Sequence, residues 1–250
     1  MKLVCAFIML FFFSASTMSE SRIKTVTMWT YYDFSPFFNE KTKRGLVDDI
    51  AQLLTRHSKG HYHFVVEYLP RKRVDLKLKS SQLGMVTLVN PLWFPKTLVA
   101  SGPLLSGYDV IVSPISKPVK NLIPKETKQR SFIGVTGHQY PMIKSELKSG
   151  QVVRIDTSSV PNLLNLIAKK RGDFSIVPGL VAHHYQSHSD FAPALHFEPI
   201  TAERYTRRML YNKIHTKLKQ DVDDILQQPE VIEQWNVILE QYNLSELATN

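Results

Sequence analysis

The feature that most constrains the fold is an aromatic turn between a strand-like segment and a helix-like segment. Residues 23–29 form an apolar, strand-like run, and positions 31–38 then read Tyr-Tyr-Asp-Phe-Ser-Pro-Phe-Phe. From Gly45 onward, apolar residues recur at helical spacing, and Asp48 and Asp49 stand where carboxylates favour a helix start. A strand, a rigid aromatic turn and a helix in this order predict an α/β unit with flat apolar surfaces at the mouth of a sheet.

Strand-like and helix-like segments alternate along the rest of the sequence. Residues 62–68 alternate strictly between apolar and polar side chains, as in a half-buried strand, whereas 71–79 fits a strand or a helix. The pattern predicts an α/β fold with mainly parallel sheets. Further predicted strands are 85–89, 108–112, 132–135, 152–155, 174–177 and an extended 204–211, and predicted helices are 45–56, 141–149, 160–170, 180–186, 217–228 and 231–242.

A stretch rich in proline and lysine, residues 114–128, interrupts this alternation and indicates a boundary between two lobes. We expect residues 20–112 together with 205–250 to form the first lobe, and residues 113–204 to form the second. The extended segment 204–211 would return the chain to the first lobe, where the last two predicted helices complete it.

The first residues have the pattern of a secretory signal peptide. Lys2 precedes an apolar run at 3–13, which is followed by the small residues Ser-Ala-Ser at 14–16. This run is too short for a permanent membrane span, so we expect residues 1–19 to be a leader cleaved after Ser16 or Ser19. Cys5, the one cysteine, lies within it. The pattern predicts a periplasmic protein without disulfides.

The charge of the chain limits its partners. Thirty-one basic and 22 acidic residues give a net charge of +9, and the basic residues stand in short scattered groups. None of these groups has the motif context of a nucleic-acid reader, so we expect no nucleic-acid partner. A soluble basic surface is one interpretation, and affinity for an anionic lipid, polysaccharide or acidic ligand is another.

Several motifs resemble those of the bacterial extracellular solute-binding proteins of the amino-acid-binding type. Residues 32–37 resemble that family's aromatic-Pro-Pro-Phe turn, and 45–50 resemble its Gly-aromatic-x-x-Asp helix start. Further resemblances lie at 70–73 (a Pro-Trp-Lys-Arg box), 133–138 (a strand-to-helix glycine turn), 171–174 (Gly-x-Asp before a strand) and 235–244 (a terminal helix). The resemblance implies an atypical member of family 3 with the two-lobed periplasmic-binding-protein type 2, or Venus-flytrap, fold and two hinge crossings.

Two departures from the family's pattern bear on the ligand. The family carries Thr-x-x-Arg after its third strand, and this arginine grips the ligand carboxylate. Residues 90–97 contain no arginine, and Lys96 would replace it only as a point charge. Where the family places an aspartate for the ligand amine, this sequence has Pro178. These departures disfavour an ordinary amino acid as the ligand.

Candidate ligand contacts follow from the rule that ligands bind beyond the carboxyl ends of the strands of α/β sheets. The candidates are Tyr31, Tyr32, Phe34, Arg71, Arg73, Asn90, Trp93, Thr136, Gly137, His138 and Tyr140. Each group also has a structural interpretation: the aromatic residues could pack against the lobe, and the arginines could solvate a helix start instead of pairing with an anionic group. The N–H groups of residues 136–138 could hold an anion, or these residues could form a plain turn.

Metal binding and catalysis find little support in the sequence. His184 and His188 are one helical turn apart and His183 is adjacent, but two imidazoles need a third ligand and only Asp190 is near. A polar helix end is favoured, so we expect no metal and no cofactor. The Gly-x-Ser-x-Gly, P-loop and His-Glu-x-x-His motifs are absent, and acidic residues are sparse in the predicted cleft. We therefore expect no enzyme.

The function that this pattern predicts is capture of a small polar ligand between two lobes that close by a hinge motion. The protein would present the ligand to an ABC-type permease, or it would serve as a ligand-sensing accessory of a membrane signalling receptor. The expected partners are the small molecule and the membrane permease or receptor, and the protein is expected to be a monomer.

Overall fold

Strands and helices alternate in the structure much as the sequence predicts. The computed structural model describes residues 23–122 and 128–249, and of residues 201–203 the backbone alone. The predicted leader and its cleavage site lie outside the described residues. The strands are β1 (Lys24–Thr30), β2 (Tyr62–Tyr68), β3 (Gly84–Val89), β4 (Val99–Ala100), β5 (Leu105–Pro114), β6 (Arg130–Val135), β7 (Val152–Thr157), β8 (Ser175–Pro178) and β9 (Leu195–Tyr211). The helices are α1 (Leu46–His57), α2 (Arg71–Lys77), α3 (Lys144–Ser149), α4 (Val160–Ala168), α5 (Gly179–His188), α6 (Thr216–Leu226) and α7 (Pro229–Gln241).

Two long strands, β5 and β9, connect two lobes. The main sheet has the order β2-β1-β3-β9-β5-β8, and β4 also pairs with β9. Leu105 to Gly107 of β5 pair with Arg207 to Tyr205 of β9, and Asp109 to Pro114 pair with Ile200 to Leu195. The register of this ladder shifts between Gly107 and Asp109. The first block continues into β3 and β1, whereas the second borders β8, so the shift marks where the chain passes from one lobe to the other.

The first lobe is completed by helices from both ends of the chain. Helix α1 follows β1 and buries Leu46, Ile50 and Leu53, which recur at helical spacing. Helices α6 and α7 pack against it at the end of the chain. Hydrogen bonds fix this return: the Tyr242 hydroxyl donates to Asp49 at 2.7 Å, and the Trp235 indole donates to the carbonyl of Leu104 at 2.9 Å.

The second lobe has its own small apolar core. Strands β6 and β7 pair in parallel, and Ile133 of β6 donates to the carbonyl of Phe174 just before β8. The cluster beneath them consists of Ile111, Val119, Phe132, Ile143, Val152, Phe174 and Ile176. The alternation of strands and helices predicted for residues 132–188 is therefore present, although the first turn of the 141–149 segment is a 3-10 helix, Pro141–Ile143.

The structure corrects the sequence prediction in the sheets. The prediction of mainly parallel sheets is wrong, because β9 pairs antiparallel with β3, β4 and β5, and β5 pairs antiparallel with β8. The ambiguous segment 71–79 contains the helix α2, Arg71–Lys77, and not a strand. Val74 and the C-cap residue Leu78 are buried, and Leu76 is exposed. The predicted lobe limits, 112/113 and 204/205, fall within the continuous strands β5 and β9, whereas the register shift in their ladder lies at 107–109 and 200–205. These predicted limits stay a prediction. No helix in the described part of the chain is long and apolar enough to cross a membrane.

The junction between the aromatic turn and α1 requires a glycine. Gly45 has a φ of 139°, which L side chains rarely adopt, and a Cβ built there would lie 2.5 Å from the carbonyl oxygen of Phe37. We expect Gly45→Ala to destabilise the protein by about 2 to 3 kcal/mol, measured by urea unfolding. Gly102→Ala is the matched control, because a Cβ at that position would meet no other atom within 4 Å. Equal stability of the two variants would contradict this account.

A cationic aromatic cleft between the lobes

The aromatic turn after β1 packs mainly against itself. The Tyr32 ring stacks on Phe37 with a centroid distance of 4.0 Å, and Phe34 meets both rings edge-on. Tyr32 and Phe34 are buried in the first lobe, so packing explains most of their surface. Tyr31 differs, because its ring lies 6.3 Å from the imidazole of His138 in the second lobe at an angle of 86°. Of the three predicted aromatic contacts in this turn, Tyr31 is the one that reaches across.

Arg71 lies beside Tyr31, held by both aromatic rings and polar groups. Its guanidinium carbon is 3.8 Å from the centroid of Phe94 and 5.3 Å from that of Tyr31. Its Nε donates to Asp75 at 3.0 Å, and its Nη2 donates to the carbonyl of Trp93 at 2.6 Å. The Arg71 side chain remains 27% exposed, and it also borders a groove of about 600 Å³ whose lining residues all belong to the first lobe. A planar cation held in this way is preorganised for a second interaction.

Arg73 has a different environment from Arg71. Two positions along a helix correspond to a rotation of about 200°, so the side chains of Arg71 and Arg73 point to nearly opposite sides of α2. Arg73 is exposed, and its charge acts on Tyr68 rather than on the cleft residues. The structure therefore brings one of the two predicted arginines into the cleft.

Asn90 and Trp93 shape the turn that follows β3. The buried Asn90 side chain accepts a hydrogen bond from the N–H of Leu92 at 3.0 Å and so caps the 3-10 helix Pro91–Trp93. The half-buried Trp93 ring packs 5.6 Å from that of Tyr205, and its carbonyl accepts from Arg71. Asn90 thus supports the turn, and Trp93 connects it to the strand that leads between the lobes.

In the second lobe, the turn after β6 is stabilised by an arginine that the sequence patterns did not single out. Arg154 of β7 donates to the carbonyls of His138 at 3.1 Å and Val135 at 2.9 Å. Its guanidinium also lies 5.2 Å from the ring centroid of Tyr140. A side chain at Gly134 would put its Cβ 2.9 Å from the Arg154 Nε, so this glycine gives the guanidinium its path.

The backbone of this turn is already hydrogen-bonded at two of the predicted contacts. The N–H of Thr136 donates to the carbonyl of Thr157, and that of His138 donates to the carbonyl of Val135. Thr136 and Gly137 are exposed, and the Tyr140 hydroxyl accepts from the N–H of Val135 at 2.9 Å. The His138 side chain, rather than these N–H groups, therefore faces the first lobe.

Charge in the cleft keeps His138 neutral. Burial lowers the pKa of His138 to about 4, and the positive charges of Arg71 and Arg154 lower it further. Burial also raises the pKa of Tyr140 to about 12 and that of Tyr31 well above its usual range. The cleft therefore presents arginine cations and neutral hydroxyl and imidazole groups at neutral pH.

A second arginine outside the predicted set, Arg207 of β9, lies fully buried behind the aromatic turn. Its Nη1 donates to the Tyr32 hydroxyl at 3.1 Å and to the carbonyl of Leu88 at 2.9 Å. Its Nη2 donates to the Tyr205 hydroxyl at 2.9 Å, which in turn donates to Asp109 at 3.0 Å. The alternation of Tyr205, Arg207, Met209 and Tyr211 on a strand would have placed all four on one face and could have indicated this burial.

The histidines of α5 form a stacked pair. The rings of His184 and His188 are 4.7 Å apart at 12°, and His188 Nδ1 interacts with the carbonyl of His184 at 2.9 Å. Burial and the two neighbouring histidines lower the pKa of His184. Within residues 23–122 and 128–249, no group of three His, Cys, Asp or Glu side chains is arranged to hold a metal ion.

The low pKa of His138 is directly measurable. We expect its imidazole to remain neutral between about pH 6 and pH 8 in the folded protein, and to titrate near the ordinary 6.5 in urea. Because the folded state binds fewer protons, this group stabilises the protein fully above the unfolded pKa, and the stabilisation decreases as pH falls toward the folded pKa. Nitrogen-detected NMR titration of ring-labelled histidine measures both values. A folded-state midpoint at or above 6.5 would contradict the geometry, and Arg71→Met should raise the midpoint whereas Arg73→Met should not.

Comparison at the level of sequence gives no match: no protein-family model matches the chain, and no curated protein does.

Comparison with solved structures shows the fold. A structure from work on glutathione import in Gram-positive bacteria through GshT and the cystine ABC importer TcyBC of Streptococcus mutans has a TM-score of 0.75 at 17% identity, covering 91% of this chain and 98% of that one. A histidine kinase sensor domain with similarity to periplasmic binding proteins has a TM-score of 0.74 at 12% identity, covering 92% and 99%. The substrate-binding protein of an amino acid ABC transporter has a TM-score of 0.69 at 16% identity, covering 88% and 99%. The chain therefore has the two-lobed fold of the periplasmic binding proteins, as the sequence motifs predicted.

Proposed function

We propose that this protein captures a small anionic ligand between its lobes in the periplasm and presents it to an ABC-type permease. The observation that carries the proposal is the meeting of Tyr31 and Arg71 of one lobe with His138 and Arg154 of the other. Side chains from both lobes at one point are what a ligand needs if it is to bind the closed form more tightly than the open form.

The charges at this point select an anion. Burial and two arginines hold His138 neutral, so the positive charge at this point comes from the guanidinium groups and the imidazole neither adds to it nor offsets it. The carboxylates that pair with these arginines, Asp75 and Asp156, are 38% and 47% exposed. Such exposed pairs are screened by water and attract weakly, so a ligand carboxylate or phosphate can compete for the guanidinium groups.

The solved structures of similar shape support binding rather than catalysis. The protein of the amino acid ABC transporter named above is a substrate-binding protein, and this sequence contains no Gly-x-Ser-x-Gly, P-loop or His-Glu-x-x-His motif. In this proposal the protein acts as a monomer and binds neither nucleic acid nor a cofactor. Its export would depend on the leader predicted from residues 1–19.

Sensing is the second candidate function. The similarity to a histidine kinase sensor domain favours it, because there the same fold belongs to a receptor. Deletion of the gene distinguishes the two functions once a ligand is known. Loss of uptake of that ligand supports transport, whereas intact uptake with loss of a ligand-dependent transcriptional response supports sensing.

Ligand capture is tested by a thermal-shift screen followed by X-ray scattering. A ligand that binds only the folded state raises the melting temperature, so organic acids, phosphorylated compounds, amino acids, polyamines and sugars can be compared directly. We expect stabilisation by an anion and a smaller radius of gyration in its presence. A shape that stays unchanged with a bound ligand would contradict closure, and stabilisation by cations or neutral sugars alone would contradict the ligand class.

Arg71 should dominate the affinity for the anion. Arg71→Met keeps the length and apolar packing of the side chain but removes the charge, so we expect affinity to fall by about 10-fold to 100-fold, measured by calorimetry. Arg73→Met is the matched control, because it removes the same charge from the exposed side of α2. Equal losses in the two variants would show that only the overall positive charge of the protein matters.

A further inference from the structure

A hydrogen bond spans the place where the chain passes between the lobes. Tyr205 pairs with Gly107 in the block of the ladder that belongs to the first lobe, whereas Asp109 pairs with Ile200 in the block that belongs to the second. The Tyr205 hydroxyl donates to Asp109 at 3.0 Å across the register shift that separates the blocks. Any bending of the two strands at the shift changes this distance.

The same tyrosine is packed tightly enough to transmit such a movement. A Cβ at Gly107 would lie 2.5 Å from the Tyr205 ring, so the ring rests directly on the backbone of the partner strand. Burial raises the pKa of Tyr205 above its usual range, with Asp109 contributing, so the hydroxyl remains a donor to the carboxylate. Tyr205 therefore contacts both blocks of the ladder, the first through its ring at Gly107 and the second through its hydroxyl at Asp109.

Arg207 connects this tyrosine to the aromatic turn. One guanidinium nitrogen donates to Tyr205 and the other donates to Tyr32 and to the carbonyl of Leu88. Leu88 is fully buried and has a φ of 57°, which is rare for a leucine, and it stands where the β3–β9 register is irregular. The unfavourable φ of Leu88, whose carbonyl accepts from the buried Arg207, indicates that the surrounding packing and hydrogen bonds hold the backbone in this conformation.

The buried charge makes the arrangement sensitive to each partner. Burial by itself would lower the pKa of Arg207, but Tyr205, Tyr32 and Asp109 raise it above its usual range, so the guanidinium stays charged. Its Nε is buried without a hydrogen-bond partner among the described residues. Because a buried cation depends on its remaining partners, movement of Tyr205 changes the energy of the contact with Tyr32.

We propose that Arg207 is a positioning residue that couples the bend between the lobes to the aromatic turn of the binding cleft. Through Tyr205 and Asp109 it senses the angle of the strands, and through Tyr32 it places Tyr31, whose hydroxyl lies 3.1 Å from that of Tyr32. The inference rests on the proposed two-lobe capture, since it explains how closure and ligand contact occur together.

The experiment measures the distance between the lobes without any ligand. Spin labels are attached at Gln52→Cys on α1 and Lys148→Cys on α3, both exposed, in a full-length chain with Cys5→Ser. Pulsed electron resonance then gives the distribution of distances for Tyr205→Phe, for Tyr32→Phe and for the double variant. We expect each single variant to change the ratio of short to long distances about fivefold toward the longer ones.

Coupling through one guanidinium predicts that the two changes are not additive. The double variant should shift the ratio no further than either single variant does. If the two substitutions acted independently, the factors by which they change the ratio would multiply. Tyr211→Phe is the matched control, because this buried tyrosine is on the same strand and its hydroxyl donates to the sulfur of Met209 rather than to Arg207. It should leave the distribution unchanged, and circular dichroism verifies that all variants fold.

Either of two results would overturn the coupling: distributions equal to that of the unsubstituted protein in both single variants, or a multiplicative double variant. These outcomes are separate from failure of the proposed function, which is judged by the ligand screen on the unsubstituted protein. If the protein binds no small molecule but shows the non-additive shift, the proposed ligand capture is wrong and the coupling through Arg207 stands.

Discussion

Burial of the Arg207 guanidinium between the strands that link the lobes is the constraint from which much of the local structure follows. Removing a charge from water costs several kcal/mol unless its donors are paired. The left-handed Leu88 directs a carbonyl to Nη1, and the absence of a side chain at Gly107 allows the Tyr205 ring to lie where its hydroxyl can accept from Nη2. Each of these features is unfavourable or unusual by itself. Together they stabilise one cation, and this cation stands behind the surface that would meet a ligand.

The cleft uses the same chemistry at its two faces. Arg71 and Arg154 each lie against an aromatic ring and each donate to backbone carbonyls. Neutral acceptors position a guanidinium without cancelling its charge, whereas their acidic partners are partly exposed and therefore screened. A positive potential between low-dielectric aromatic walls follows from this arrangement, and such a potential favours capture of anions.

Local sequence patterns predicted the elements well where one face of a segment is buried. The strict alternation at 62–68 predicted β2, and burial of Val74 and Leu78 with exposure of Leu76 explains why the ambiguous segment 71–79 became a helix. The first half of β9 was missed, because residues 195–203 contain a proline and polar residues, and the extended conformation of 195–200 is accompanied by pairing with β5. Antiparallel pairing of β9 is a long-range property and has no local signal.

The residues that meet between the lobes were selected only in part from the sequence, for a related reason. The rule that ligands bind beyond strand ends selected Tyr31 and His138, which meet across the cleft. It could not select Arg154 or Arg207, which start from within β7 and β9 and reach the cleft region through the length of their side chains. The path of Arg154 depends on the absence of a side chain at Gly134, a relation between two strands that neither segment reveals alone.

The two departures from the family pattern acquire a different meaning in three dimensions. The segment without its arginine contributes Phe94, and the guanidinium of Arg71 lies 3.8 Å above that ring. Pro178, where an aspartate was expected, pairs with Asp109 on the neighbouring strand. Arg71 thus lies beside the segment that lacks the family's arginine, and Asp109, which accepts a hydrogen bond from Tyr205, lies beside Pro178. Asp109 belongs to the strand that passes between the lobes, at the register shift. A carboxylate in that position moves with the bend, so in the proposed function its charge is tied to closure more directly than that of a carboxylate fixed within one lobe.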